Sequence, residues 1–156
     1  MTSAIAVAQA FLDLAADEGA ALTNMQLQKL VFFSHGVHLA AFDASLINEP
    51  VRAWDFGPVI PDLYDSLRRF GGGNVPLDLA PTLRDTIAPE GSAMQAIRAT
   101  WDAYKGYSAW QLSDISHLAG SPWDQVWNQQ NGRYRDIPNT LIKNYYQARV
   151  NVSDAR

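Results

Sequence analysis

The sequence contains no cysteine, so disulfide bonds, thiolate metal ligands and thiol nucleophiles are absent from the chemistry of this chain. It has no basic segment at its N-terminus and no hydrophobic run near the roughly 20 residues that a membrane-spanning helix needs. These absences favour a cytoplasmic protein that does not insert into a membrane.

Positive charge is also scarce. Lys and Arg number 12 against 16 Asp and Glu, which gives a formal net charge of −4 at pH 7. Proteins that bind nucleic acid present a basic face to its phosphates. The charge balance therefore predicts no direct contact with nucleic acid.

What remains is the composition of a globular domain. A chain of 156 residues that is 47% hydrophobic can bury roughly two-thirds of its unfolded surface. Because apolar residues recur at three- and four-residue spacing along most of it, we predict a mainly α fold. One compact helical domain is expected over residues 1–150, followed by a C-terminal tail at 151–156. Helices are predicted over 3–18, 24–41 and 139–150, and others begin at Pro61, Ser92, Ser108 and Ser121.

Helix starts carry the clearest local signals. In a capping box, a Ser or Thr before the helix stands three positions ahead of a Glu or Gln. Proline at the first helical position is a second start signal, and Ser121-Pro122 combines a cap with such a proline. Gly120 is expected to end the helix before it. The predicted capping boxes are Thr23 with Gln26, Ser92 with Gln95, and Ser108 with Gln111.

Two stretches lack helical periodicity. Residues 46–56 mix apolar residues with turn formers, which predicts a short irregular or two-stranded β element. Residues 71–91 begin with three glycines and contain three prolines, which predicts a surface loop. Gly57-Pro58 and Ser121-Pro122 are expected to be rigid corners that fix the positions of nearby tryptophans.

Metal or cofactor chemistry has little support in the sequence. His35 and His38 stand three residues apart on one predicted helix, a spacing that can bring two imidazoles to a metal. Asp43, the nearest carboxylate that could join them, lies beyond the predicted end of that helix. We therefore expect these histidines to be core or rim residues, and we predict no metal and no cofactor.

A catalytic alternative rests on His117. If residues 108–119 form a helix, Ser113 and His117 are four residues apart and close enough for a hydrogen bond, and Ser116 is adjacent to the histidine. An enzyme or a small-molecule-binding protein could use such a group. No acidic residue that would orient the histidine is evident, so we favour a His117 that binds a backbone carbonyl near the helix end.

Tryptophan is abundant, with five in the chain. Trp101 lies on a helical stripe and is expected in the core. Trp54, Trp110 and Trp123 stand at turns or in first helical turns, where an indole ring either covers a core edge or meets a partner protein. These three positions are the candidates for an interaction surface.

The ordered set of motifs resembles the Panacea domain, a family first described among phage-associated and genetic-element proteins. The resemblance runs from about Ala4 to Tyr146, and it is the order of the motifs that makes it specific. Ser116 stands where the family often has threonine, and the 71–91 insert is particular to this chain. The motifs are MQLQKLVFF at 25–33, RAWDFGPVIP at 52–61, SAWQLSDISH at 108–117, SPW at 121–123, and then Ile137, Ile142 and Tyr145-Tyr146.

The resemblance implies a non-enzymatic protein. Panacea domains act as antitoxins that neutralise a co-encoded toxin by direct protein binding, and one branch delivers its toxin to a bacterial AAA+ protease as a proteolytic adaptor. The oligomeric state is left open. With the tryptophan positions, the resemblance suggests partner contacts at Trp54, Phe56, Tyr64, Arg68 and Trp123. Residues expected to be structural signatures are Lys29, Gly57, Pro58, His117 and Pro122.

Overall fold

A computed structural model describes residues 1–79 and 87–154 of the chain, with side chains described as far as residue 149. Its described part is mainly α, as predicted, with seven α-helices and one small antiparallel sheet. No helix of the described residues is both long enough and apolar enough to cross a membrane. The division at residue 150 between domain and tail stays a prediction.

Helix α2, Asn24–Phe42, lies at the centre of the fold. The Thr23 side chain accepts from the backbone of Gln26, and the Gln26 side chain accepts from the backbone of Thr23, so the predicted capping box is confirmed. Almost every turn of α2 is buried, and it packs most extensively against α7, Asn139–Asp154, and α4, Ser92–Tyr104. A helix that is apolar on several sides must be covered on several sides.

The N-terminal helix α1, Ala4–Asp17, covers one flank of α2 and α4. Ser3 caps it by accepting from the backbone amide of Ala6. Phe11 and Leu12 are fully buried, and the Phe11 ring lies 6.4 Å from the ring of Trp101. Trp101 therefore belongs to the core, as its helical spacing predicted.

The two-stranded sheet pairs β1, Arg52–Trp54, with β2, Gly57–Val59. The predicted range of 46–56 contained only β1, and the Gly57-Pro58 corner is in fact strand. Pro58 is tolerated there because Ala53, its partner, directs its own amide and carbonyl to residues 134–135 instead. The Ala53 amide donates to Arg135 at 2.9 Å, and the Tyr134 amide donates to Ala53 at 2.8 Å.

Three shorter helices complete the fold around the sheet. Helix α3, Pro61–Leu67, begins with its proline in the first turn, as predicted, and continues as a 3-10 turn over Arg68–Phe70. Helix α5, Ala109–Ser116, has the predicted Ser108–Gln111 capping box. Helix α6, Pro122–Asp124, is capped by Ser121 as predicted and continues as a π-helical turn over Gln125–Gln129.

Several predicted helix ends were wrong. Ser92 is the first residue of α4 rather than its cap, because its hydroxyl contacts His38 Nε2 at 2.8 Å while Gly91 takes the cap position. Helix α5 ends at Ser116, before the predicted stop at Gly120, and leaves Leu118 exposed. Helix α7 continues beyond Val150 to Asp154. Of the predicted 71–91 loop, residues 80–86 lie outside the described residues.

Candidate functional site

A cavity of about 580 Å³ opens where the N-terminal end of α2, the β1–β2 hairpin, α3 and the start of α5 meet. Its volume is in the range of small-molecule and side-chain binding pockets. Helix α2 contributes Met25, Gln28 and Lys29, and the start of α5 contributes Trp110. The hairpin and α3 contribute Trp54, Asp55, Phe56, Val59 and Tyr64, with Arg68 just beyond.

Lys29 joins the floor of the cavity to the hairpin. Its side chain is buried, and Nζ donates to the carbonyl oxygens of Phe56 at 3.1 Å and Pro58 at 3.0 Å. Burial lowers the pKa of Lys29 to about 7, since an ammonium loses hydration there. No carboxylate among the described residues forms an ion pair with it.

Helix α5 also binds the turn of the hairpin at Phe56. The Ser113 hydroxyl donates to the carbonyl oxygen of Phe56 at 2.7 Å. Gly57 has a φ of +114°, and a Cβ there would lie 2.5 Å from Ser116 Oγ and 3.0 Å from Lys29 Nζ. Glycine is therefore required both for the backbone angle and for this close approach. Of the expected signature residues, Lys29, Gly57 and Pro58 form one cluster.

Aromatic rings form the rim of the cavity. Phe56 is 58% exposed and Trp110 is 63% exposed, and their rings meet edge to face with centroids 6.1 Å apart. Trp54 and Tyr64 form a second edge-to-face pair at 5.3 Å. Exposed aromatic residues beside a cavity are typical of protein-binding surfaces.

Two ionisable side chains stand at the edge. Arg68 is largely exposed, and its one ion pair with a described residue is a marginal contact of 4.0 Å with Asp65. Asp55 accepts a short hydrogen bond from the hydroxyl of Tyr134, which lies in the left-handed region at a φ of +65°. Arg68 is thus available to a partner, whereas Asp55 is already engaged by Tyr134.

The structure brings together four of the five predicted contact residues, since Trp54, Phe56, Tyr64 and Arg68 all line the cavity. Trp123 does not. It is only 7% exposed, and its indole nitrogen donates to the carbonyl oxygen of Trp54 at 2.6 Å. Its ring offers almost no area to a partner, so its structural role is to support the hairpin from behind.

Met25 was missed as a member of this surface, whereas Trp110 was a candidate that was not among the five expected contact residues. Trp110 had been noted as a possible contact because it lies in a first helical turn, and its exposure now distinguishes it from Trp123. Met25 lies in the first turn of α2, a helix that is buried over most of its length, and its place in the sequence marked it only as part of a family motif. It is partly exposed because the cavity opens at the N-terminal end of that helix.

The paired histidines of α2 are core residues. His35 Nε2 lies 3.0 Å from Asn139 Oδ1, and its Nδ1 accepts from the amide of Leu46 at 3.3 Å. His38 Nδ1 lies 2.6 Å from the carbonyl oxygen of Ala44. Burial lowers the pKa of His35, which favours its neutral form. Among the described residues, no three potential ligands are grouped as a metal would require.

The arrangement around His117 does not form a serine–histidine pair. Ser113 donates to Phe56, and Ser116 donates to the carbonyl oxygen of Ser113 at 2.6 Å. His117 caps the end of α5, its ring packs 5.3 Å from Trp123, and its buried Nδ1 has no hydrogen-bond partner among the described residues. The expected bond from His117 to a backbone carbonyl is therefore not made through Nδ1.

Comparison with known proteins gives the same family as the order of the motifs. Residues 27–124 match the family described as antitoxin SocA-like, Panacea domain. The chain belongs to the SocA-like Panacea domain family. Over 130 residues it is 33% identical to Antitoxin SocA of Caulobacter vibrioides (strain NA1000 / CB15N), an alignment that covers 79% of this chain and 69% of the relative. No solved structure is significantly similar.

The family match covers most of the candidate site. It includes Lys29, the whole hairpin, Arg68 and Trp110, and it extends to α6. Thr23, Asn24 and Met25, which form the α2 end of the cavity, precede it. In this Panacea domain the cavity is thus built mainly from residues of the family's matched region.

Proposed function

We propose that this Panacea domain is an antitoxin that acts in the cytoplasm and neutralises a toxin encoded beside it by direct protein–protein binding. The observation that supports this most is membership of the SocA-like family, together with similarity to a protein named Antitoxin SocA. Antitoxins of this kind act by binding, so we propose a non-enzymatic role.

The rim of the cavity is the surface that we propose for the toxin. Phe56 and Trp110 are the two most exposed aromatic side chains of its lining, and the hairpin and α5 that carry them are anchored by Lys29 and Ser113. Rigid aromatic anchors lose little conformational entropy when a partner binds. They therefore suit the centre of an interface.

Co-expression tests this proposal. The product of the adjacent gene should arrest growth when it is produced alone, and co-production of this protein should restore growth. Phe56→Ala combined with Trp110→Ala should abolish the rescue, because the two rings supply the central contacts. The matched control is Leu118→Ala, which also removes an exposed apolar side chain, 50% exposed, but lies outside the cavity lining.

Circular dichroism and thermal unfolding of each purified variant would separate lost binding from lost folding. A neighbouring gene product that is harmless alone, or that stays toxic with the native protein present, would refute the antitoxin role. A double variant that folds and still rescues growth would refute the rim as the binding surface.

Delivery of the toxin to a AAA+ protease is a second step that we propose from the family resemblance. Its test is the half-life of the toxin in cells with and without this protein. A half-life that shortens only when the protease is present would support an adaptor. An unchanged or longer half-life, with growth still rescued, would support simple sequestration.

A further inference from the structure

The cavity lining does not share the acidic balance of the whole chain. The protein has a net charge of −4, yet the lining has the basic side chains of Lys29 and Arg68 against one carboxylate, that of Asp55. This carboxylate already accepts from Tyr134. Lys29 Nζ is buried on two carbonyl oxygens, so Arg68, whose contact with Asp65 is marginal, is the charged side chain of the lining that is left for an anionic group of a partner.

The N-terminus of α2 adds donors of the same polarity. Asn24 and Met25 both line the cavity, and within the described part of the chain no group accepts from their backbone amides. The first amides of a helix carry partial positive charge, and α2 has 19 residues. Lys29 follows one turn later, but its Nζ is buried and already donates to two carbonyl oxygens, so the amides are the donors that α2 leaves open to a partner.

Most of the remaining lining is apolar or aromatic. Met25 and Val59 are part of this lining, and the two aromatic pairs, Trp54 with Tyr64 and Phe56 with Trp110, form the rim. A volume of about 580 Å³ admits at least one large side chain with part of its backbone. The cavity is thus lined mostly by apolar and aromatic side chains, with Arg68 at its edge and the first two residues of α2 in its lining.

We infer that this cavity binds a peptide segment of the toxin in which a large apolar side chain lies next to a carboxylate. The apolar side chain enters between Trp54, Phe56 and Tyr64. The carboxylate pairs with Arg68 and with the amides at the start of α2. The identity of the partner rests on the proposed function, whereas the chemistry of the segment rests on the cavity itself.

Charge reversal at one of two neighbouring arginines tests the inference. Arg68 lines the cavity, while the side chain of Arg69 lies over the ring of Phe70, 4.7 Å from its centroid, and does not line it. Binding of the purified toxin is measured by titration calorimetry. Arg68→Glu should weaken binding about tenfold or more, and Arg69→Glu should change it by less than about threefold. Because exposed charges are screened, the difference should shrink at high salt.

Overlapping peptides that cover the toxin sequence identify the segment. The peptide that competes with intact toxin should contain a large apolar residue beside an Asp, a Glu or the C-terminal carboxyl group. To find which carboxylate binds, an internal Asp or Glu of the peptide is replaced by its amide, or the C-terminus is amidated. The change that removes the bound carboxylate should weaken competition about as much as Arg68→Glu weakens binding.

The outcomes separate this inference from the proposed function. Equal toxin binding by native protein and Arg68→Glu would overturn the inference and leave the antitoxin role intact. Native protein that binds no toxin would overturn both. The inference would also be overturned if the competing peptides had no carboxylate. It would be overturned as well if this chain formed a homodimer that Arg68→Glu dissociates, because a second copy would then occupy the cavity.

Discussion

The indole nitrogen of Trp123 donates a hydrogen bond to the carbonyl oxygen of Trp54 across 2.6 Å. The bond joins the start of α6 to the end of β1, two segments that are 69 residues apart in the chain. Trp123 thereby supports the hairpin on the side away from the cavity. The two tryptophan motifs therefore belong to one structural unit, in which the buried ring of Trp123 holds Trp54 at the cavity.

Trp123→Phe should lower the free energy of unfolding by about 1–2 kcal/mol, because phenylalanine keeps part of the packing but cannot donate to Trp54. Urea denaturation measures the change. Trp127→Phe is the matched control, since that indole stacks on Trp123 at 5.3 Å and donates to no described residue. Equal losses in the two variants would show that ring packing, and not the hydrogen bond, holds the hairpin.

Gly36→Ala should destabilise the protein by about 1–3 kcal/mol, because the new methyl group would overlap the ring of Tyr146 where α2 and α7 cross. Thermal or urea unfolding measures the loss. Tyr146→Leu removes the ring, so the double variant should lose less stability than the sum of the single changes. Strict additivity would mean that the two helices do not approach as closely as described.

Gly57→Ala should cost about 1–3 kcal/mol of stability, since it forces a side chain into a positive φ and against the Ser116 hydroxyl. Adding Ser116→Ala should recover part of the loss by removing the hydroxyl, but not the part due to the backbone angle. Gly72→Ala, whose Cβ would meet nothing within 4 Å, is the control and should be nearly neutral. Full recovery in the double variant would assign the whole effect to the close contact.

Lys29 should make stability rise with pH between about 7 and 9. Burial lowers the pKa of the folded lysine to about 7, whereas the unfolded chain keeps its proton up to about pH 10.4. In that window the unfolded state binds more protons, so raising the pH favours folding, by at most about 1.4 kcal/mol per pH unit. Lys29→Met has no titratable group at this position and should lack this slope.

Urea denaturation at pH 7, 8 and 9 checks the prediction. Measurements stop at pH 9 because burial raises the pKa of Tyr104 and Tyr146, so ionisation of unfolded tyrosines opposes the trend at higher pH. Parallel curves for native protein and Lys29→Met would show that the ammonium is well solvated and that its pKa is not lowered.

Local signals in the sequence were sufficient wherever the partner of a group lies a few residues away. The Thr23–Gln26 and Ser108–Gln111 caps were predicted correctly because each bond closes within three residues. Ser92 had the same spacing to Gln95, yet its hydroxyl contacts His38 instead. A hydrogen-bond partner that is distant in sequence can replace the local cap, and the spacing of residues along the chain does not reveal such a partner.

The candidate site shows the same division. Trp54, Phe56, Tyr64 and Arg68 line one cavity, and they lie close together along the chain, on the hairpin, on α3 and just after it. Trp123 lies outside that lining, buried and bonded to Trp54, which is far away in sequence. Trp110, the most exposed of the five tryptophans, has a similar local pattern. Local pattern alone cannot distinguish a ring that covers the core from one that faces solvent.

By itself, the sequence determined the mainly α class, the central place of α2, most helix starts and the family. These properties follow from periodicity, caps and motif order, all of which are written along the chain. Only the tertiary structure decided that the Lys29 amine lies beneath the Phe56 and Pro58 carbonyls, that Gly57 meets Ser116, and that a cavity opens between them and Trp110. The physical reason is that burial and charge pairing depend on which distant segments pack together.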